Sequence, residues 1–243
     1  MNVVAKTETG RALGDAFAVA RDRLPGKSKI ADQRRQAFEA YERSGLPHRR
    51  IEDWKYTDLR ALMREVLPLA PAPDAAALGR AAAAIKLQAI DGVRRLVLVD
   101  GAFAPDLSDL GNLDKGLGIQ PLREVLDAGD GVLSTQAFAT DISNPMIALN
   151  GAMATDGVVI EIADGTVLAQ PLHIVHVASG TAPASMFTRS LLRLGRDANV
   201  TLVESYLAGE GAKAYQAYDG LIVAIGEWVM RQACRDAAAW PGS

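Results

Sequence analysis

The sequence predicts an α+β chain whose character changes along its length, from a helical first part to a nearly all-β second part. Three observations carry this reading. Apolar residues recur at three- and four-residue steps up to about residue 90, five short apolar runs follow one another after about residue 144, and no helix of useful length separates those runs. The last point argues against a doubly wound α/β sheet, whose parallel strands need helical crossovers. Short strands at this spacing suit a sandwich, a barrel or a β-helix solenoid, and periodicity alone does not choose among them.

Residues 11–24 and 30–44 are expected to be helical. In the second, Ile30, Ala37, Phe38 and Tyr41 form the apolar stripe, with Arg34, Arg35, Glu39 and Glu42 as charges between them. Gly45 then stands at a helix C-cap position and Pro47 prevents continuation. A third helix is predicted over Ile51–Val66, anchored by Trp54, Leu59 and Leu62. The prolines at 68, 71 and 73 impose an extended segment, and Ala75–Ala89 is a further helix with a weak stripe. Arg95–Val99 reads as a short buried strand ended by the turn pair Asp100-Gly101. From about Asn144 onward the pattern predicts strand after strand: Gly157–Ile162, Leu172–Val177, Ser190–Leu194, Val200–Glu204 and Leu221–Ile225. Turn-rich connectors lie between them, and no strict repeat is visible.

Composition limits function. The chain has 243 residues, 26 Lys+Arg against 29 Asp+Glu, a net charge of −3 and a single cysteine, Cys234. The charge gives no reason to expect nucleic acid or an acidic membrane surface. No internal disulfide can form, no Cys/His cluster has zinc-site spacing, and no apolar run approaches a membrane span. The first residues, Met1 to Glu8, lack the apolar core of a signal peptide, so a cytoplasmic protein is expected.

The candidate chemical residues are few. His173 and His176, three apart on a predicted strand, should point to opposite faces and so not share an ion. His48 sits in a basic loop with Arg49 and Arg50, read first as a solvated loop, with contact to a partner's carboxylates as the alternative. Asp156, Glu161, Asp164, Asp197 and Glu204 would be the acids of a polysaccharide-active site, but three of them occupy turn contexts and only 5% of the residues are aromatic. No phosphate-binding, nucleophile-elbow or dinucleotide motif is present. No histidine lies near Cys234, so an incidental thiol is expected.

The segment Gly45-Leu-Pro-His-Arg-Arg-Ile-Glu52-Asp-Trp54-Lys-Tyr56-Thr57-Asp-Leu59 resembles the N-terminal signature of the SufD family of the SUF iron–sulfur cluster assembly system. The resemblance continues in order through Leu96–Phe103 with Leu107-Ser108, Gly118-Ile119 with Leu122, Asn144–Asn150 with Asp156–Ile160, and Leu202–Ser205. It implies a mostly helical domain over 1–140 with a short strand near 95–99, and right-handed parallel β-helix coils over 141–226. It implies a non-enzymatic scaffold subunit acting with SufB-like and SufC-like (ATPase) proteins, Trp54, Tyr56 and Leu59 serving in the core. The complex would assemble the iron–sulfur cluster; this chain itself would bind no cofactor, and none of its residues receives a catalytic, cofactor-binding or metal-ligating role.

Family members are longer, and residues 227–243 depart from the expected strand-and-turn pattern, with two of the three tryptophans and the only cysteine. A frame change or an added scar would explain this tail; a short capping helix over 227–239 is the alternative. On this reading the chain is C-terminally truncated, its β-helix incomplete and its SufC-docking region missing. The end near Leu221, Val223 and Ile225 would then be open, predicting self-association.

Overall fold

The computed structural model describes residues 8–129, 131, 134, 143–213 and 215–224. Two helices open it, α1 (Glu8–Ala20) and α2 (Lys29–Ser44). They pack against a later helix, Pro145–Met153, through Leu13, Phe38, Tyr41, Leu149 and Met153, and the Phe17 and Phe38 rings stack at 4.3 Å. Gly45 has φ +67° and donates its N–H to Tyr41 O, so the chain turns there as expected.

The single helix expected over 51–66 does not form. Glu52–Trp54 is one 3-10 turn, and Leu59–Leu62 (α3) is one helical turn that begins afresh at Asp58. The Asp58 carboxylate accepts from the N–H groups of Arg60 and Ala61, an N-cap that starts a new helix rather than continuing an old one. The core roles expected for the signature residues change accordingly. Leu59 packs at the edge of the helical core and Trp54 is half-buried, but Tyr56 is 91% exposed.

Helix α4 (Ala75–Leu87) is capped by Asp74, whose carboxylate accepts from Ala77 N at 2.7 Å. Strand β1 (Arg94–Val99) turns through Asp100 (φ +49°) and Gly101 (φ +83°) into β2 (Ala102–Phe103). Val99 pairs with Ala102, so this is a two-residue hairpin loop with both φ positive, the geometry that Asp-Gly supplies most readily. Then come β3 (Leu117–Pro121), α5 (Leu122–Asp127), α6 (Pro145–Met153), β4 (Val158–Ile162), β5 (Leu172–Ala178), β6 (Ala184–Leu194), β7 (Leu202–Ala208) and β8 (Tyr215–Ala224). Helix α6 corrects the expectation of strands from Asn144 onward. Asn144 caps it by accepting from Met146 N and Ile147 N, and Pro145 is its first residue, where a missing N–H costs nothing.

The described strands form two four-stranded sheets, ordered β2-β1-β5-β7 and β3-β4-β6-β8. From β4 onward the chain alternates between them at every step; β5 adds parallel to β1, and β6, β7 and β8 each add parallel to the strand two before. Val159 pairs with Leu191, Leu172 with Leu202 and Ala184 with Tyr215, so each return to a sheet takes 30 to 32 residues. Only β2 and β3, on the opening edges, run antiparallel to their neighbours.

Between the sheets Leu96, Leu98, Val158, Ile160, Ile162, Leu172, Ile174 and Leu192 form one apolar layer. Helix α4 covers the outside of the first sheet at Val97, Val99, Val175 and Val177. Ile30 of α2 and Leu122, Val125 and Leu126 of α5 cover the second at Val159 and Leu191. No helix among the described residues is long and apolar enough to cross a membrane. The expected domain boundary near 140 and the tail 227–243 with Cys234 lie outside the described residues.

Candidate functional site

The two close histidines part company on β5. His173 shares a face with Val175 and Val177, and His176 shares the opposite face with Leu172 and Ile174, as strand alternation requires. One ion therefore cannot be held by both rings. His173 is buried and shares a hydrogen bond of 2.9 Å with Ser205 Oγ on β7. Burial, reinforced by the Arg95 charge, holds its pKa below the usual imidazole value. His176 stacks on the Tyr206 ring at 4.7 Å, and its Nε2 lies 3.9 Å from Glu204 Oε1. Among the described residues no group of three or more His, Cys, Asp or Glu is arranged to hold a metal ion.

The carboxylates weighed as catalytic acids serve other ends. Asp156 is buried and accepts from the N–H groups of Phe103, Arg123 and Gly157, which ties β2, α5 and β4 together. Its pKa is raised because burial outweighs those three donors. Asp164 grips Arg196 at 2.9 and 2.7 Å across two turns, and the guanidinium bonds hold its carboxyl below the usual range. Glu161 meets Arg193 at 3.1 Å, Glu204 lies on the other sheet beside His176, and Asp197 occupies a turn at φ +55°. None of these acids lines the cavity of about 350 Å³ between the Pro68–Pro73 segment and the 180–186 stretch.

A buried polar joint escaped the sequence reading. Arg34, expected among the outward charges of α2, is 3% exposed and donates to Pro25 O, Gly151 O and Ala152 O. Its position four residues from both Ile30 and Phe38 places it on the apolar stripe, and that spacing was the available signal. Asn150 on α6 uses both amide hydrogens to bridge Thr188 O on β6 and Tyr218 O on β8, at 2.7 and 2.9 Å, and accepts from Arg189 at 3.3 Å. Gly151 and Gly220 leave the space: a Cβ at either would meet Arg189 Nη1 or Asn150 Oδ1 within 3 Å. Burial, and then the Arg189 and Arg123 charges, lower Arg34 to about 9, and burial lowers Arg189 to about 10. Both remain cationic at neutral pH and hold the C-terminal end of α6, the end at which a helix favours positive charge.

Helices are thus clamped by arginines and an asparagine onto the pair of sheets. The profile described as SufBD protein N-terminal region matches residues 14–174, about two thirds of the chain. The chain is 28% identical over 191 residues to the iron-sulfur cluster assembly protein SufD of Escherichia coli, covering 77% of this chain and 42% of that protein. It is also 28% identical over 186 residues to an iron-sulfur cluster assembly SufBD family protein of Synechocystis, covering 74% of this chain and 39% of that protein. The chain thus spans about two fifths of the length of these relatives. With the signature at 45–59, the helical opening and the matched profile in agreement, the chain belongs to the SufBD family, through that family's N-terminal region.

Proposed function

We propose that this chain is the N-terminal part of a non-catalytic scaffold subunit of a cytoplasmic iron–sulfur cluster assembly complex, acting with SufB-like and SufC-like proteins. The observation that carries the reading is the family match over 14–174 on a fold whose candidate acids are engaged in turns, caps and ion pairs. The cluster is the cargo of the complex, and no residue of this chain is assigned to it. The alternating parallel strands, with their returns of 30 to 32 residues, support a further step: they are the first coils of a right-handed parallel β-helix, following a helical domain that ends near residue 140. Co-expression with the SufB-like and SufC-like proteins of the same source tests the scaffold role. This chain is expected to retain the SufB-like protein and to lose the SufC-like ATPase. Stoichiometric retention of the ATPase would show that its docking residues are present, and retention of neither would remove the scaffold reading.

A second reading, self-association, is favoured by one observation: β7 and β8, the outermost described strands, are 7 and 10 residues long and each pairs on one side only. Such edges are templates for further strands. Light scattering over micromolar concentrations is expected to show a dimer or larger species; a monomer of 25.8 kDa throughout would reject it.

A further inference from the structure

The chain carries six Asp-Gly pairs, beginning at residues 91, 100, 130, 156, 164 and 219, and one Asn-Gly pair at Asn150. In such a pair the glycine nitrogen can attack the side-chain carbonyl carbon of the residue before it, because no Cβ shields that nitrogen. The attack needs a carboxyl not held elsewhere, an N–H not donated elsewhere, and room for a five-membered ring. Most of the described pairs lack these. Asp156 is buried, with three N–H donors on its carboxylate, one of them Gly157's own. Asp100 is held by Ser179 N, Ser179 Oγ and Gly180 N. Asp164 is gripped by Arg196, and Gly165 donates its N–H to Arg196 O at 2.7 Å. The Asp219-Gly220 peptide belongs to the ladder of β8, opposite Thr188 and Arg189. Asn150 commits its amide to Thr188 O and Tyr218 O from within α6.

Asp91-Gly92 meets all three conditions. Both residues are exposed, in the turn between α4 and β1. Gly92 has φ +75°, and a Cβ built there would meet nothing within 4 Å. Among the described residues neither the Asp91 carboxyl nor the Gly92 N–H has a hydrogen-bond partner. We propose that Asp91 is a modification site: this chain forms isoaspartate there ahead of its other described Asp-Gly pairs, and so presents a new carboxylate to a protein carboxyl methyltransferase. The Gly92 nitrogen bonds to Asp91 Cγ, and the carboxyl's hydroxyl leaves with the amide proton as water, giving a succinimide. A second water opens the ring at the former main-chain carbonyl. The chain then runs through Cγ, and the α-carboxyl is a free carboxylate. Methyl transfer from S-adenosylmethionine to one of its oxygens leaves a methyl ester and S-adenosylhomocysteine. The extra main-chain carbon is confined to the turn, because Arg94 is fixed just beyond it by Arg94 N to Pro171 O at 2.9 Å and by its guanidinium on three carbonyls.

The test ages the whole chain near neutral pH in water enriched in oxygen-18, folded and, in parallel, in urea. Ring opening leaves one heavy oxygen at each residue that has passed through a succinimide, and peptide mapping locates it. In the folded chain Asp91 is expected to exceed Asp100, Asp156 and Asp164 by about tenfold or more, the factor for breaking one charge-assisted hydrogen bond. In urea, where every pair is free, that preference should largely disappear. A protein isoaspartate methyltransferase with labelled S-adenosylmethionine should then methylate the peptide containing residue 91 from the aged parent. The same peptide from Asp91→Glu, which would need a six-membered ring, should accept no label. Equal heavy-oxygen labelling of Asp91 and any of Asp100, Asp156 or Asp164 in the folded chain would overturn the proposal. So would a preference unchanged by urea, isoaspartate at 91 without heavy oxygen, or a residue-91 peptide that accepts no methyl group.

Discussion

The two ends of the paired sheets are built on different principles. At the opening edges stand β2, of two residues, and β3, of five, both antiparallel to their neighbours. The β1 end is further fastened by Asp100, whose carboxylate accepts from Ser179 N, Ser179 Oγ and Gly180 N. At the other side lie the long parallel strands β7 and β8. Burial follows the same gradient. On the face where β5 places Leu172 and Ile174, both fully buried, β7 offers Leu202, Glu204 and Tyr206, with Tyr206 52% exposed. Short antiparallel edge strands close a sheet, whereas long parallel ones leave it able to grow. Among the described residues, the two sides of the sheets thus differ in strand length, strand direction and burial.

Five substitutions probe that asymmetry, the largest effect first. Ile174→Ala opens a cavity in the layer between the sheets and is expected to cost about 2–5 kcal/mol, whereas Leu202→Ala, one strand outward and half-buried, should cost about 1 kcal/mol. Denaturant midpoints of the two variants measure the gradient directly; equal losses would abolish it. Asn150→Ala leaves Thr188 O and Tyr218 O without their shared donor, a loss of about 1–3 kcal/mol. Its readout is regional: amide exchange should quicken across 215–224 and stay slow in β1 and β5.

Acid should act on the same pair of strands through His173. Its folded pKa lies below the unfolded value of about 6.5, so the unfolded chain binds the extra proton first. Stability from this group is complete above that value and falls as pH drops through the folded pKa. His173→Gln should flatten that limb of the stability–pH curve, and an unchanged slope would place the sensitivity elsewhere. The smallest effect belongs to Asp164→Asn. Its pair with Arg196 is fully solvated, and the melting midpoint should stay within experimental error of the parent.

Much of the scaffold was legible because its elements obey one period each. Helix α2 shows its stripe, α4 its alanine-rich run, β1 its Asp-Gly turn, and the opposite orientations of His173 and His176 follow from alternation. Helix α6 was read as strand for a physical reason. Residues 148–153 are buried all round, so no polar face marks the helical period, and only Asn144-Pro145 announces it. The 51–66 segment failed in the opposite way: its apolar spacing suggested one helix, but a competent cap at Asp58 interrupts it. Arg34 was assigned by residue type and Tyr56 by its place in the signature, and neither reports where a side chain ends up. The partnering of strands 30 to 32 residues apart has no local mark at all.

The pairing of β1 with β5 has a consequence in time. Arg94 meets Leu172 only after 78 further residues have been added to the chain. At about 5–20 residues per second of synthesis, that interval is roughly 4–16 s. During it one margin of β1 is sheltered by the β2 hairpin and by Asp109, which bonds to Arg95 N, while the margin destined for β5 stays bare. The apolar run Leu96–Val99 thus keeps one edge without its strand partner until β5 leaves the ribosome.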